Sequence, residues 1–170
     1  AAYFKRVGDY QFQGQGKSAT HKLFLERAYH LVRNDGSIGF VIPSGIYSEL
    51  GSKDLREMLM DRGSIQFLFS FSNERFFFNG LDHRFKFTLI GVQKGQKRDG
   101  FWATFRFNPR VAVKPDDLPS FLERRENLIY VERSSIARFS PNSLSLMEFQ
   151  TPTDYQITEK IYGDHPLIGD

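Results

Sequence analysis

Arg75 to Phe87 reads RFFFNGLDHRFKF: three consecutive phenylalanines, an Asn-Gly turn, then alternating cations and rings. Aromatic faces stack on flat ligands and Arg or Lys side chains hold phosphates, so their interleaving is the footprint of nucleic-acid binding. Successive side chains on an extended chain point to opposite faces. One sheet face can therefore bury Phe76 and Phe78, or Phe77 alone, but not all three. The charge distribution marks the same stretch. Residues 1–74 carry nine basic and eight acidic groups, residues 75–98 six and one, and residues 99–170 eight and eleven, so the net charge of +3 divides as +1, +5 and −3. A solvated strand-and-turn face has the same composition, and charge alone favours that plainer reading.

Other chemistry is less well supported. Gly16-Lys17-Ser18 copies the end of a phosphate-binding loop, but the leading glycine would fall at Gln11 and no apolar strand precedes it. Gly14-Gln15-Gly16 lacks the third glycine of a dinucleotide fingerprint. His21, His30, His83 and His165 share no metal-ligand spacing, so no metal site is expected. Glu26, Glu49, Glu57 and Asp82 have no partner visible in the sequence that would make a general acid–base pair. Cysteine is absent, which excludes disulfides and thiolate sites and favours a reducing, cytoplasmic setting. No apolar run approaches a membrane span, so no membrane partner is expected.

The elements that must position these residues alternate. With 40% hydrophobic and 25% charged residues, the chain has globular composition. Thr20 to Val32 has helical spacing, with Leu23, Phe24, Ala28, Leu31 and Val32 as its stripe and Ser18 or Thr20 as its cap. SIGFVIP reads as a strand buried on both faces and stopped by Pro43. Ser52 to Arg62 predicts a helix capped by Ser52, with Leu55, Met58 and Leu59 as its stripe. Ser64 to Phe71, Phe85 to Gln93 and Phe101 to Phe107 predict three more strands, Asp116 to Arg125 a helix, and Leu128 to Val131 a short strand. The rhythm is that of an α/β sheet with covering helices. Ser72 to Arg84 has crossover length but no helical period, so the following strand should run antiparallel in a mostly parallel sheet, at one end of it. From Ser134 the chain is turn-rich, with a last helix near Tyr155 to Tyr162, which puts a boundary near 133 between residues 1–133 and 134–170.

The stretch from His21 to Gly95 resembles the second half of the methylase domain of adenine-specific DNA methyltransferases, especially type IIG and related restriction–modification enzymes. The resemblance is carried by Leu23 to Arg27, Gly39 to Pro43, Phe71 to Glu74, Phe78-Asn79 and Arg84 to Phe87, in that order. Two positions depart from the family pattern: Glu74 stands where arginine is usual, and Asn79 where proline is usual. The tail from Ala137 is similar to the link toward a target-recognition domain.

The resemblance implies a partial Rossmann-like, S-adenosylmethionine-dependent methyltransferase fold. Its last strand, Phe85 to Gln93, should insert antiparallel between Ile38 to Ile42 and Ile65 to Phe71. It implies methyl transfer to the exocyclic amine of an adenine flipped out of double-stranded DNA. Phe78 would be the stacking ring, with Phe77 as the alternate and Phe76 or Phe77 plugging the core beneath. Arg84, Lys86 and Lys94 are the candidate phosphate contacts. The glycine-rich cofactor turn and the Asn-Pro-Pro-aromatic catalytic tetrad of such enzymes do not occur in the sequence; Asn108-Pro109-Arg110 fails at the second proline. The expectation is a C-terminal piece of a longer enzyme that alone binds no S-adenosylmethionine and transfers no methyl group. The alternative is a half-domain that binds nucleic acid or protein without chemistry. A homodimer through an exposed sheet edge is a further expectation for such a piece.

Overall fold

Between Ser72 and Lys86 no helix carries the chain across the sheet, and the strand that follows turns back antiparallel. In the computed structural model, which describes residues 10–14 and 19–164, five strands form one sheet. They are β1 (Ser37–Pro43), β2 (Gly63–Ser72), β3 (Lys86–Lys94), β4 (Gly100–Arg106) and β5 (Ile129–Glu132), in the order β1-β3-β2-β4-β5. β3 lies between β1 and β2 and is antiparallel to both, as the family resemblance implies. β4 is parallel to β2, and β5 closes the sheet antiparallel to β4. β1, β2 and β4 thus share a direction. The sheet is mixed rather than mostly parallel, and the reversed β3 is interior rather than terminal.

Among the described residues six α-helices accompany it: α1 (Thr20–Leu31), α2 (Gly45–Ser48), α3 (Lys53–Asp61), α4 (Leu118–Glu123), α5 (Arg133–Phe139) and α6 (Pro152–Asp164). The core has two parts. Leu25, Tyr29, Leu55, Met58, Leu59, Leu68, Ile90, Phe105, Ile136 and Phe149 belong to one cluster, and Phe69, Phe71, Phe87, Val113 and Leu128 to the other. A β-bulge between Ile65 and Phe67 sends those two residues into different clusters, although simple alternation would put them on one face.

Several local expectations change. The stripe of α1 is rotated: Lys22, Leu25, Glu26 and Tyr29 are buried, whereas Phe24 and Leu31 are 62% and 71% exposed. The rotation is possible because both buried charges find backbone partners. Glu26 accepts the amide N–H groups of Gln11 (2.6 Å) and Phe12 (3.1 Å) and the side-chain amide of Gln13, and Lys22 donates to the carbonyl of Gly51 at 3.0 Å. Thr20 opens α1 but Ala19 holds the cap position without a side-chain bond, and Ser18, like Gly16 and Lys17, lies outside the described residues. Ser52 precedes α3 without capping it through its side chain, and its buried hydroxyl has no hydrogen-bond partner. β1 is an edge strand, and its alternating burial, with Val41 54% exposed, shows that one face is open rather than both buried. The expected helix from Asp116 to Arg125 is a 3₁₀ turn, Pro115–Asp117, followed by α4. The turn-rich reading from Ser134 missed α5, whose Ile136 and Phe139 enter the larger cluster.

Glu26 ties residues 11–13 to the first helix, and burial is tolerable only while those donors stay bonded. Glu26→Ala should lower unfolding free energy by about 2–4 kcal/mol, since each stranded buried donor costs roughly 1–3 kcal/mol. Urea denaturation measures this. A loss below about 1 kcal/mol would mean that the contact is peripheral.

Candidate nucleic-acid interface

The pairing register puts one row of residues at the carboxyl ends of the co-directional strands. Pro43 of β1 and Phe71 of β2 each face Phe87 of β3, and Phe71 also faces Arg106 of β4. In sheets of this kind ligands gather outside the carboxyl ends of the strands. The aromatic run leaves β2 at this edge. A 3₁₀ turn, Asn73–Arg75, starts the loop, and Phe76 takes a left-handed φ of 54°.

The three phenylalanines diverge. Phe77 packs against the smaller core cluster, its ring 5.2 Å from Phe87 and 6.0 Å from Phe71. Phe78 sits edge-on to Phe87 at 5.0 Å and keeps 38% of its surface exposed. Phe76 is 59% exposed, and among the described residues its ring touches no other ring. One plug and two exposed rings answer the packing problem that the sequence poses.

Asn73 decides where Phe78 stands. Its side chain is fully buried, accepts the Phe78 N–H at 2.9 Å, and donates to the carbonyls of Phe78 (2.9 Å) and Leu81 (3.1 Å). Its own N–H donates to the Phe85 carbonyl at 2.8 Å. One amide thus closes the loop on itself and fixes both polar groups of the Phe78 backbone. The sequence quotes Asn73 within a Phe-x-Asn pattern but assigns it no task. Its burial beneath a turn was the missing information.

The expected phosphate contacts separate. Arg84 is on the loop, with both ends of its guanidinium held by Asp82 at 3.0 and 2.8 Å. Lys86 begins β3, 2.8 Å from Glu148 and 3.9 Å above the Phe107 ring. Lys94 ends β3 at the opposite edge of the sheet, where it donates to the carbonyls of His30 (3.3 Å) and Val32 (2.9 Å) and so neutralises the negative end of α1. Arg84 and Lys86 therefore share an edge with Phe78, and Lys94 does not.

Beneath that edge runs a buried polar chain. The Ser70 hydroxyl lies 3.0 Å from the Thr88 hydroxyl, 3.1 Å from the Phe87 carbonyl and 3.3 Å from the Tyr47 hydroxyl, its one proton serving one acceptor at a time, and Tyr47 donates to Glu148 at 2.8 Å. Burial holds the Tyr47 hydroxyl protonated, well above the ordinary tyrosine range. Residues 143–148 are laced to the segment after β1: Leu146 N–H to the Tyr47 carbonyl at 3.0 Å, and Arg56 to the carbonyls of both Ile46 and Ser143 at 2.7 Å. These contacts immobilise the floor on which the aromatic loop rests.

Residues 3–77 match the family model of the Eco57I restriction-modification methylase. That match covers under half of the chain, whose matched part is similar to a restriction–modification methylase domain. Its fold is shared with the methyltransferase subunit of a type I restriction–modification system from Streptococcus thermophilus, at a TM-score of 0.62 and 15% identity over 85% of this chain and 34% of that one. The M protein of the type I restriction enzyme EcoKI aligns at 0.58 and 14% identity over 86% and 43%, and the type IIG restriction endonuclease BpuSI at 0.53 and 21% over 79% and 18%. This chain thus spans less than half the length of each of these proteins. No curated protein matches it. Methylases of this family use S-adenosylmethionine. Among the described residues, the loops leaving β1, β2 and β4 carry no glycine-rich turn.

Two outcomes follow. Asn73→Ala should cost about 2–3 kcal/mol, because the Phe78 and Leu81 groups lose their partner, and amide exchange at Phe78 should accelerate before global unfolding does. Exchange that stays slow would place the anchor elsewhere. Arg84 holds the Asp82 carboxyl well below the usual carboxylate range. A depressed folded-state pKa stabilises above the unfolded value, near 4, and that contribution disappears as pH falls through the folded value. NMR titration of Asp82 should give a midpoint below the ordinary one, and Arg84→Ala should return it toward 4; an unchanged midpoint in the variant would break the pairing.

Proposed function

We propose that this methylase segment forms the base-binding edge of an enzyme that methylates the exocyclic amine of adenine in double-stranded DNA, with S-adenosylmethionine held by other parts of the enzyme. The observation that carries the reading is Phe78: a half-exposed ring, fixed by a buried amide, at the carboxyl edge beside the inserted strand. A target amine is out of reach inside a duplex, so the base must be extruded and held against a flat surface. A ring that is already held loses little freedom when the base arrives, which is why Phe78, edge-on to Phe87, suits the task better than Phe76, whose ring meets no other among the described residues. Arg84 and Lys86 flank it and can exchange their carboxylate partners for phosphates.

Base stacking is worth roughly 1–3 kcal/mol. In the methylase containing this segment, Phe78→Ala should lower kcat/KM for methylation by about tenfold to a hundredfold, and Phe78→Trp should keep most of it. Both variants should melt close to the parent, whereas Phe71→Ala, in the core, should cost about 3–5 kcal/mol. If Phe78→Ala methylates normally and Phe76→Ala or Phe77→Ala does not, another ring holds the base.

A further inference from the structure

Beside the aromatic loop lies a second feature that neither the family match nor the base-binding reading assigns. A cleft of about 460 Å³ opens between the turn after β2, the loop after β4 and α4. Arg75, Arg110, Lys114 and Arg124 line it with a single carboxylate, Asp117, and Phe121 lines it as well. All four cations are exposed, and among the described residues none forms an ion pair. The contrast with Arg84 and Lys86, each already facing a carboxylate, is direct.

The cleft and the Phe78 loop are built on one foundation. Arg75 belongs to the turn that starts the aromatic loop and donates to the Pro109 carbonyl at 3.2 Å, bridging to the loop after β4. Phe71 contacts Phe77 on one side and Phe121 on the other, with ring centroids 6.0 and 6.4 Å away. Arg106 stands over Phe121 at 5.4 Å and donates to the Gln150 carbonyl at 2.9 Å. The four cations are therefore held in a fixed relation to the exposed ring. Four unpaired cations against one carboxylate, on an open surface of modest depth, suit a polyanion that passes along the surface.

We infer that this cleft carries the phosphodiester backbone of duplex DNA next to the extruded base, through Arg110, Lys114 and Arg124, with Arg75 linking it to the aromatic loop. The choice of DNA rests on the methylase reading; the site itself does not.

The test is binding of a fluorescent DNA duplex to the 170-residue chain, read by anisotropy across a salt series without cofactor. Each phosphate contact contributes about 0.9 to the slope of log K against log salt. Arg110→Gln, Lys114→Gln and Arg124→Gln should each flatten the slope by about 0.9, and the triple variant should lose roughly tenfold or more in affinity at low salt. Arg124→Glu, on an exposed helix face, should weaken binding more than Arg124→Gln. Arg33→Ala, exposed after α1 at the other edge of the sheet, should leave the slope unchanged. An unchanged slope in the cleft variants, or no duplex binding by the parent chain, overturns the proposal. So does displacement of the duplex by millimolar inorganic phosphate at constant ionic strength, which would mark a small-anion site. Full activity of Phe78→Ala would sink the base-binding reading while leaving the slopes intact, so the two failures are distinguishable.

Discussion

The insertion of β3 between β1 and β2 is the constraint on which everything else rests. An interior strand must satisfy its N–H and C=O groups on both sides, and β3 has a partner on each side from Phe87, facing Pro43 and Phe71, to Gln93, facing Ser37 and Ser64. Because β3 runs backwards, it must enter at the edge where β2 leaves. The thirteen residues from Asn73 to Phe85 are therefore confined to the carboxyl edge. They cannot cross the sheet, and they cannot hide three phenylalanines in succession. The exposed ring is a consequence of topology before it is a matter of chemistry.

Confinement alone does not give order. The loop is ordered because one buried amide, Asn73, binds the polar groups of Phe78 and Leu81, and because Phe87 offers an edge to two of the rings above it. A buried amide that meets its partners stabilises and specifies at once, since losing any of them strands a polar group without water. The Thr88–Ser70–Tyr47–Glu148 chain does the same one layer down and draws residues 143–148 onto the sheet. The edge is rigid for polar reasons, while its apolar contacts set where the rings point.

Charge was the less reliable guide to the surface. The window from 75 to 98 is the most basic of the chain, yet Lys94 serves the end of α1, and Arg84 and Lys86 are paired. The unpaired cations of the cleft come mostly from 99–170, where the net charge is −3. Averaging over sequence mixes them with Asp116, Glu123 and Glu126, which do not line the cleft. Pairing and position, and not the count, decide which cations are free for a ligand.

The sequence alone determined the alternation of helices and strands, the antiparallel return of β3, the surplus aromatic and, through the order of its motifs, the methylase fold. The first three follow from local periodicity, turn chemistry and the missing crossover helix, which act over about a dozen residues, whereas the fold follows from the resemblance carried by motifs spread over His21 to Gly95. The tertiary structure decided the rest. It rotated α1, because Glu26 and Lys22 have backbone partners 14 to 29 residues away. It exposed one face of β1 and made a helix of Arg133–Phe139. It chose Phe77 as the plug and left Phe78 and Phe76 outside, because Asn73 is buried beneath the loop and Phe87 of β3 lies against the rings. The Asn73 anchor spans only five to eight residues but depends on a burial that the sequence does not display, and Lys86 and Tyr47 meet Glu148 across 62 and 101 residues, where no local signal exists.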